Sequence, residues 1–559
     1  MTATLFFFYC YWATTTLNHD AMTIDFDPKL SYLEYIKRNQ VEITDTAALQ
    51  LNHVLDNCQW EQPQTALEWN NLAVAALIAA EGCDNSLTHG LYAEIAFDAV
   101  QAGAELNRHP LCAAHLALLN CMLGNYSEAA RIAFSAFINN LQPTYTERKI
   151  EPGIVYIPPL TRTHITNGRS EQLQRILTTD NGYTQAMLML TEVLCRTQIV
   201  LDNHTGLRLL HLMNQLMPDL IFPKVRLGIY SIGDRELEGL VYLHQAGDLE
   251  LDCPIILQAL YLAYLDLDQP ESATHWQKIG IDFARQRLAK TPWQWTQLPI
   301  DSPWTYVPFD GGEAGTFERE IALTVPASLQ SPTTRCLLAE GDWFERELEF
   351  WRQYLQPGMN AIDIGAGVGI YTFSAARRVG VNGTVYAIEP SSKTVDCLHE
   401  TCQLNQIENV KIFRNAIDDR ESLSQLIIQS SSEFNHLATS DDASESGIET
   451  ETVTCMTLDD FVDREGIDRL EIIKISTEGN ELKILHGSDR VLAKFAPTII
   501  YNSYTSKGID LAVAQYLLDR DYELFRYQPY LQQLIPLANE ADFTEVIKAI
   551  AIPKVERRE

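Results

Sequence analysis

Two patterns of apolar and polar positions divide the chain. From Asp27 to about Ala289 apolar residues recur at helical spacing, with almost no alternating β-branched runs, which predicts helix after helix. Beyond that point short apolar runs take over: Ile321 to Val325, Ala361 to Ile364, Thr384 to Ile388, Val410 to Phe413, Leu470 to Ile475 and Pro497 to Asn502. Between them lie segments of helical period, Trp343 to Trp351, Tyr371 to Val379, Val395 to Asn405 and Ala512 to Leu518. Strand and helix in alternation predict a parallel sheet with helices on both faces, and Tyr522 to Tyr527 with Gln533 to Leu537 predict a terminal hairpin. Gln429 to Thr452, dense in Ser, Asp, Glu and Thr, reads as a solvated loop.

The helical half contains pairs of helices with small residues at the crossing points. His109 to Pro143 carries Leu116-Ala117, then Leu123-Gly124-Asn125-Tyr126-Ser127-Glu128-Ala129-Ala130, then Phe134 and Phe137. Trp69, Leu72 and Ala73 begin a similar pair whose second helix runs from Leu91 to Leu106, and Ile256 to Ala284 carries Leu260, Tyr264 and Ala273. Gln185 to Leu216 gives two weaker helices. These pairs resemble tetratricopeptide repeats, whose period is about 34 residues. The resemblance implies an α-helical solenoid with a concave face for a protein or peptide partner. A plain helical bundle is the other reading. Pro152 to Pro159 and Thr291 to Gly315 break helical periodicity, and the second is rich in Trp, which predicts a packed connector. The expected organisation is therefore a non-core extension (1–25), helical repeats (26–290), a connector (291–335), an α/β domain (336–545) and a tail (546–559).

At 559 residues the chain is too long for one core. A net charge of -32 argues against a broad nucleic-acid-binding face. Eleven cysteines without a C-x-x-C pair point to buried thiols in a reducing compartment, hence a cytoplasmic protein with no structural metal. Leu5 to Ala13 is apolar but too short to span a bilayer, and no basic residue precedes it. It reads as lying outside the functional fold, with Met22 as a second candidate start; an interfacial anchor is the alternative.

The candidate chemistry lies in Asp363-Ile364-Gly365-Ala366-Gly367-Val368-Gly369, between an apolar run and a helix. Glycine is required where backbone lies against a ligand. Glu389 follows at the tip of the next strand, 20 residues beyond Gly369, where it would accept the hydroxyls of a ribose. Dinucleotide enzymes use G-x-G-x-x-G against a pyrophosphate. The acid before the first glycine would instead suit a cationic amino-acid end, which points to S-adenosylmethionine and disfavours a nucleotide-dependent oxidoreductase. The stretch resembles motif I of class I methyltransferases, which implies a Rossmann-like, seven-stranded sheet. A glycine turn in an ordinary α/β protein is the alternative for the loop alone.

Several further stretches occur in order: Glu345, Pro357-Gly358-Met359, Glu389-Pro390, Thr457-Leu458-Asp459-Asp460, Lys474-Ile475-Ser476-Thr477-Glu478-Gly479-Asn480-Glu481 and Leu485-His486-Gly487. Together they resemble the FkbM family of S-adenosylmethionine-dependent methyltransferases over roughly 336–537. The resemblance implies an O-methyltransferase acting on a hydroxyl of a glycan, lipid-linked sugar or secondary metabolite. It assigns cofactor binding to Asp363, Gly365, Gly367, Gly369 and Glu389. Asp418 is a candidate for the adenine amino group or a helix cap. Glu478 is the candidate proton acceptor, with Lys474 or Asp459 orienting it; capping of the next helix is its other reading. Ser476 and Asn502 stand where family members carry acids, so a non-catalytic repeat scaffold with a degenerate methyltransferase-like domain is the alternative function.

Overall fold

A computed structural model describes residues 27–83, 86–106, 108–140, 150–158, 169–201, 204–216, 218–287, 291–309, 321–429, 435–438, 449–505, 508–530, 532–544 and 546–554. The apolar stretch Leu5 to Ala13 and Met22 lie outside these residues. The chain divides into two compact units: Met1–Leu116 with Ile138–Tyr156 and Leu173–Leu188, and Ala117–Phe137 with Ile157–Gln172 and Met189–Glu559.

The first unit is helical. Ala66–Glu81 starts at a capping box in which Thr65 and Glu68 satisfy each other's backbone amides, and almost every residue of its second half is buried. The break predicted at Pro152 is an extended segment lined by side chains that satisfy its backbone. Tyr32 Oη donates to Val155 O (3.1 Å), Asn70 Nδ2 to Ile154 O (3.0 Å), and Gly153 N donates to Gln185 Oε1 (2.9 Å). Tyr156 N donates to Nε2 of His115, whose pKa burial pushes down to about 4, so the ring stays a neutral acceptor.

The second unit begins with helices as well, including the pairs Ile221–Gly233 with Gly239–Leu249 and Pro254–Asp266 with Pro270–Ala284. These helices pack on the segment expected to be a connector, Tyr261 against Trp295 and Phe283 against Trp293. The guanidinium of Arg226, fully buried, meets both oxygens of Glu340 at 2.7 and 2.5 Å. Gln258 donates to Thr305 Oγ1 at 2.9 Å and to Tyr306 O at 2.8 Å. Trp293 and Trp295 are buried in the short 3-10 helix Thr291–Gln297, and Trp304–Phe309 pairs antiparallel with Ile321–Pro326.

The main sheet has eight strands: β1 (Asn360–Ile364), β2 (Thr384–Ile388), β3 (Val410–Phe413), β4 (Ile472–Ile475), β5 (Thr498–Asn502), β6 (Tyr522–Gln528), β7 (Gln533–Pro536) and β8 (Lys548–Pro553). Their order across the sheet is β7-β6-β8-β5-β4-β1-β2-β3, with β1 to β5 parallel and β6 to β8 antiparallel to their neighbours. The count of seven strands, which included the expected hairpin of β6 and β7, gives way to eight because β8 joins the sheet. Residues assigned to a tail from 546 onward instead supply β8, which pairs Ile550 with Ile500 and with Phe525. An apolar run pairing on both sides is an interior strand, and β8 ends up buried for that reason.

Strand alternation builds two cores. Ile362 and Ile364 of β1 and Ile473 and Ile475 of β4 enter one layer, while Ala361 and Ile472 enter the other with Trp351 and Phe373. The stretch read as a solvated loop contains part of a second sheet. Thr450–Met456 pairs antiparallel with Ser422–Ile427 and turns Val453 and Cys455 inward, leaving Thr450, Thr452 and Thr454 exposed.

Candidate functional site

The site forms where β1, β2, β4 and β5 end. Gly365 and Ala366 donate their amides to Ile388 O at 2.9 and 3.1 Å, which pins the loop after β1 to the end of β2. Gly365 has φ +72°, and a Cβ there would lie 2.0 Å from the carbonyl oxygen of Ser476. Gly367 has φ +56°, but nothing lies within 4 Å of where its Cβ would be. The loop thus packs tightly on β4 at its first glycine and faces open space at its second. Gly369, at φ +98°, opens the helix Ile370–Val379.

Asp363 is fully buried, and its charge is already matched. Lys474, its register partner on β4, brings Nζ to 3.0 Å from Oδ1, and Thr372 Oγ1 donates to Oδ2 at 2.7 Å. The same ammonium donates to Gly365 O at 2.6 Å. Asp363 therefore fixes the loop through Lys474. Glu389, also buried, accepts from Gly367 N (2.9 Å) through one oxygen and from Ser391 N (3.0 Å) through the other. Burial raises its pKa while the two amides oppose the rise. Each oxygen retains a lone pair for a further donor.

The turn after β4 assigns its carboxylates differently from the sequence pattern. Glu481, buried, accepts from Thr477 N and Gly479 N, both at 2.9 Å, and so fastens the turn. The helix that follows, Glu481–His486, has Asn480 at its N-cap and no side-chain cap bond among the described residues, so Glu481 fastens the turn and does not cap the helix. Glu478 sits in the left-handed region at φ +52° with its side chain exposed. Asp418 follows Ala416–Ile417, which belongs to the second sheet and not to β3, and its Oδ1 accepts from Asp419 N at 2.8 Å. Asn480 Nδ2 donates to Ile417 O (3.1 Å), which brings Asp418 within one residue of that turn.

A second buried network joins residues that local pattern could not associate. Lys548, from β8, donates to Asn502 Oδ1 at 2.6 Å and Ser476 Oγ at 3.2 Å and pairs with Glu345 Oε1 at 3.0 Å. Ser476 Oγ donates to Asn502 Oδ1 at 3.0 Å, and Tyr371 Oη donates to Glu345 Oε2 at 2.7 Å. Burial alone would raise the pKa of Glu345, but the ammonium of Lys548 and the Tyr371 hydroxyl outweigh it and hold the carboxyl below its ordinary value. The two positions where an acid was expected thus flank a lysine whose counter-charge comes from Glu345. One signal for Lys474 and Lys548 was present in the sequence: a lone lysine in an isoleucine- or alanine-rich strand requires a buried partner.

Glu347, two residues on, is 5% exposed, and burial pushes its pKa up to about 7 against the opposing pull of Arg346. A carboxyl whose folded pKa is raised favours folding below the ordinary carboxylate range and loses that contribution as pH rises through about 7. Glu347→Gln is therefore expected to raise the melting midpoint at pH 8 and leave it unchanged at pH 4. Thermal denaturation at the two pH values measures this, and equal midpoints at pH 8 would rule the raised pKa out.

Residues 363–524 match the family model described as the Methyltransferase FkbM domain, so this part of the chain is a methyltransferase domain of that type. Among solved structures, the methyltransferase FkbM from Methylobacillus flagellatus KT aligns at 14% identity with a TM-score of 0.25, covering 40% of this chain and 54% of that one. The chain thus spans about half the length of that structure. A SAM-dependent methyltransferase from Aquifex aeolicus aligns at 13% identity and TM-score 0.22, covering 37% of this chain and 87% of that one. A SAM-dependent O-methyltransferase from Thermotoga maritima aligns at 16% identity and TM-score 0.21, covering 38% and 65%. No curated protein matches the chain. Among the described residues no helix is long and apolar enough to cross a membrane, and no cluster of metal-ligating side chains occurs.

Proposed function

We propose that the α/β region transfers a methyl group from S-adenosylmethionine to a hydroxyl of a glycan, lipid-linked sugar or secondary metabolite. The observation that carries the reading is the matched methyltransferase domain, whose glycine loop leaves open space at Gly367 beside a buried, pre-oriented Glu389. A cofactor that needs backbone contact and paired hydroxyl recognition fits there. Glu389 would take the ribose hydroxyls, and Gly365, Gly367 and Gly369 would admit the nucleoside and sulfonium chain. Asp363 would act at one remove by holding Lys474 on the loop. When bound, S-adenosylmethionine supplies a methyl group bonded to a cationic sulfur. This chain's residues then need only align the acceptor and remove its proton.

The helix pairs Pro110–Met122 with Tyr126–Asn140 and Pro254–Asp266 with Pro270–Ala284 support reading the helical region as tetratricopeptide-like repeats that hold a protein or peptide partner. A second reading, a scaffold whose methyltransferase domain no longer turns over, is favoured by Lys548 standing between Ser476 and Asn502. Calorimetric titration of the full chain with S-adenosylhomocysteine tests the first reading. Micromolar binding that Asp363→Ala abolishes supports it, and no binding to the intact chain sinks it.

A further inference from the structure

Beside the second network lies a cavity of about 350 Å³. Tyr126, Ser127, Phe344, Glu347, Tyr504 and the cationic Arg526 line it, together with Val546. Of the residues that line it, Tyr504 lies inside the matched domain and the others lie outside its bounds. Glu345 lines the cavity too and is bonded to Tyr371, whose ring lies 5.4 Å from the Lys474 ammonium that pairs with Asp363. An unbroken series of contacts therefore connects the cavity to the glycine loop.

The lining selects what can enter. Three aromatic rings suit a flat or ring-shaped molecule, and the volume is near the low end for ligand sites, enough for one ring and its substituents. Arg346 is not available to an anion, because Nη2 donates to Gly124 O at 2.6 Å and the guanidinium lies 4.9 Å from the centre of the Tyr126 ring. Glu345 is engaged by Lys548 and Tyr371 and is held ionised. Glu347 has no ion pair among the described residues, and it faces the cavity.

We propose that this cavity receives the hydroxylated ring to be methylated and that Glu347 takes the proton from its hydroxyl. The proposal rests on the methyl-transfer reading above. As the bond from acceptor oxygen to the methyl carbon forms and the sulfur–carbon bond breaks, the proton passes to the Glu347 carboxylate. The donor becomes a neutral thioether, Glu347 a neutral acid, and no other reactant is required. A carboxyl that titrates near neutral pH is matched to such a transfer.

The test uses the full chain and two probes, methyl glucoside and p-cresol, which distinguish a sugar from a phenol. Ligand-observed NMR with and without S-adenosylhomocysteine should show that one of them binds. Ser127→Trp, a change at an exposed position, should weaken that binding by about tenfold or more while leaving S-adenosylhomocysteine affinity unaltered. Glu347→Gln should keep probe binding but remove its pH dependence around neutrality. Neither probe binding to a chain that binds S-adenosylhomocysteine overturns the proposal alone, as does probe binding indifferent to Ser127→Trp. Failure of S-adenosylhomocysteine to bind sinks the methyl-transfer reading and this proposal with it. A pH dependence that persists in Glu347→Gln removes Glu347 as the proton acceptor.

Discussion

Gly365→Ala is expected to destabilise the protein by about 4 kcal/mol and to abolish measurable S-adenosylhomocysteine binding. Two independent causes add. The left-handed backbone at φ +72° is unfavourable for any residue with a Cβ, by about 1 to 2 kcal/mol. The new methyl would also lie 2.0 Å from the carbonyl oxygen of Ser476, which is backbone and cannot rotate away. Relief requires β1 and β4 to part at their ends, stretching the Ser476 N to Ile364 O bond of 3.1 Å and displacing Lys474 from Gly365 O. Gly367→Ala is the control. Its Cβ enters open space, so only the backbone penalty applies, and the melting midpoint should fall little although binding weakens. Urea unfolding and calorimetry on both variants separate the effects. Equal stability losses at the two positions would contradict the packing described for the loop.

Lys548→Met is expected to cost about 3 to 5 kcal/mol, because it leaves the carboxylate of Glu345 buried without its cation. The pH dependence distinguishes this from simple loss of packing. In the wild type the pKa of Glu345 is lowered, so its contribution is present above the ordinary carboxylate range and is lost as pH falls through the folded value. In the variant burial acts unopposed by Lys548, the folded pKa rises, and the sign reverses: destabilisation is full at high pH and recedes as pH falls. Pairing the change with Glu345→Gln should recover most of the loss at pH 8. Denaturant unfolding from pH 4 to 8 reads both effects, and a double variant no more stable than Lys548→Met would refute the electrostatic account.

How much of this was legible in the sequence depends on the distance over which a residue finds its partners. The glycine loop and Glu389 were readable because a strand, a turn and the next strand end lie within about thirty consecutive residues, all obeying local rules. Ser476 and Asn502 were readable only as missing acids. What takes their place, Lys548, lies 72 and 46 residues further on, in a segment with no motif to mark it. Glu345 stands in a legible motif, but its role is not legible from it, since its counter-charge is the same distant lysine. The second sheet escaped because the exposed Thr450, Thr452 and Thr454 outnumber the inward Val453 and Cys455, and composition then resembles that of a loop. Glu481 was hidden by Glu478, the acid nearer the glycine. Only the backbone conformation of the turn decides which of them reaches the amides.

The position of β8 has a consequence for biosynthesis. It lies between β5 and β6, both of which are made before it, and it carries the lysine that completes the buried network. Until Lys548–Pro553 leaves the ribosome, β5 and β6 each present a row of unpaired backbone groups, the kind of edge that recruits strands from other chains. The nascent protein thus passes through an interval in which the cofactor loop has been synthesised but the sheet is open. Holding that interval short, or shielding it with a chaperone, matters more for this chain than for one whose last strand lies at an edge.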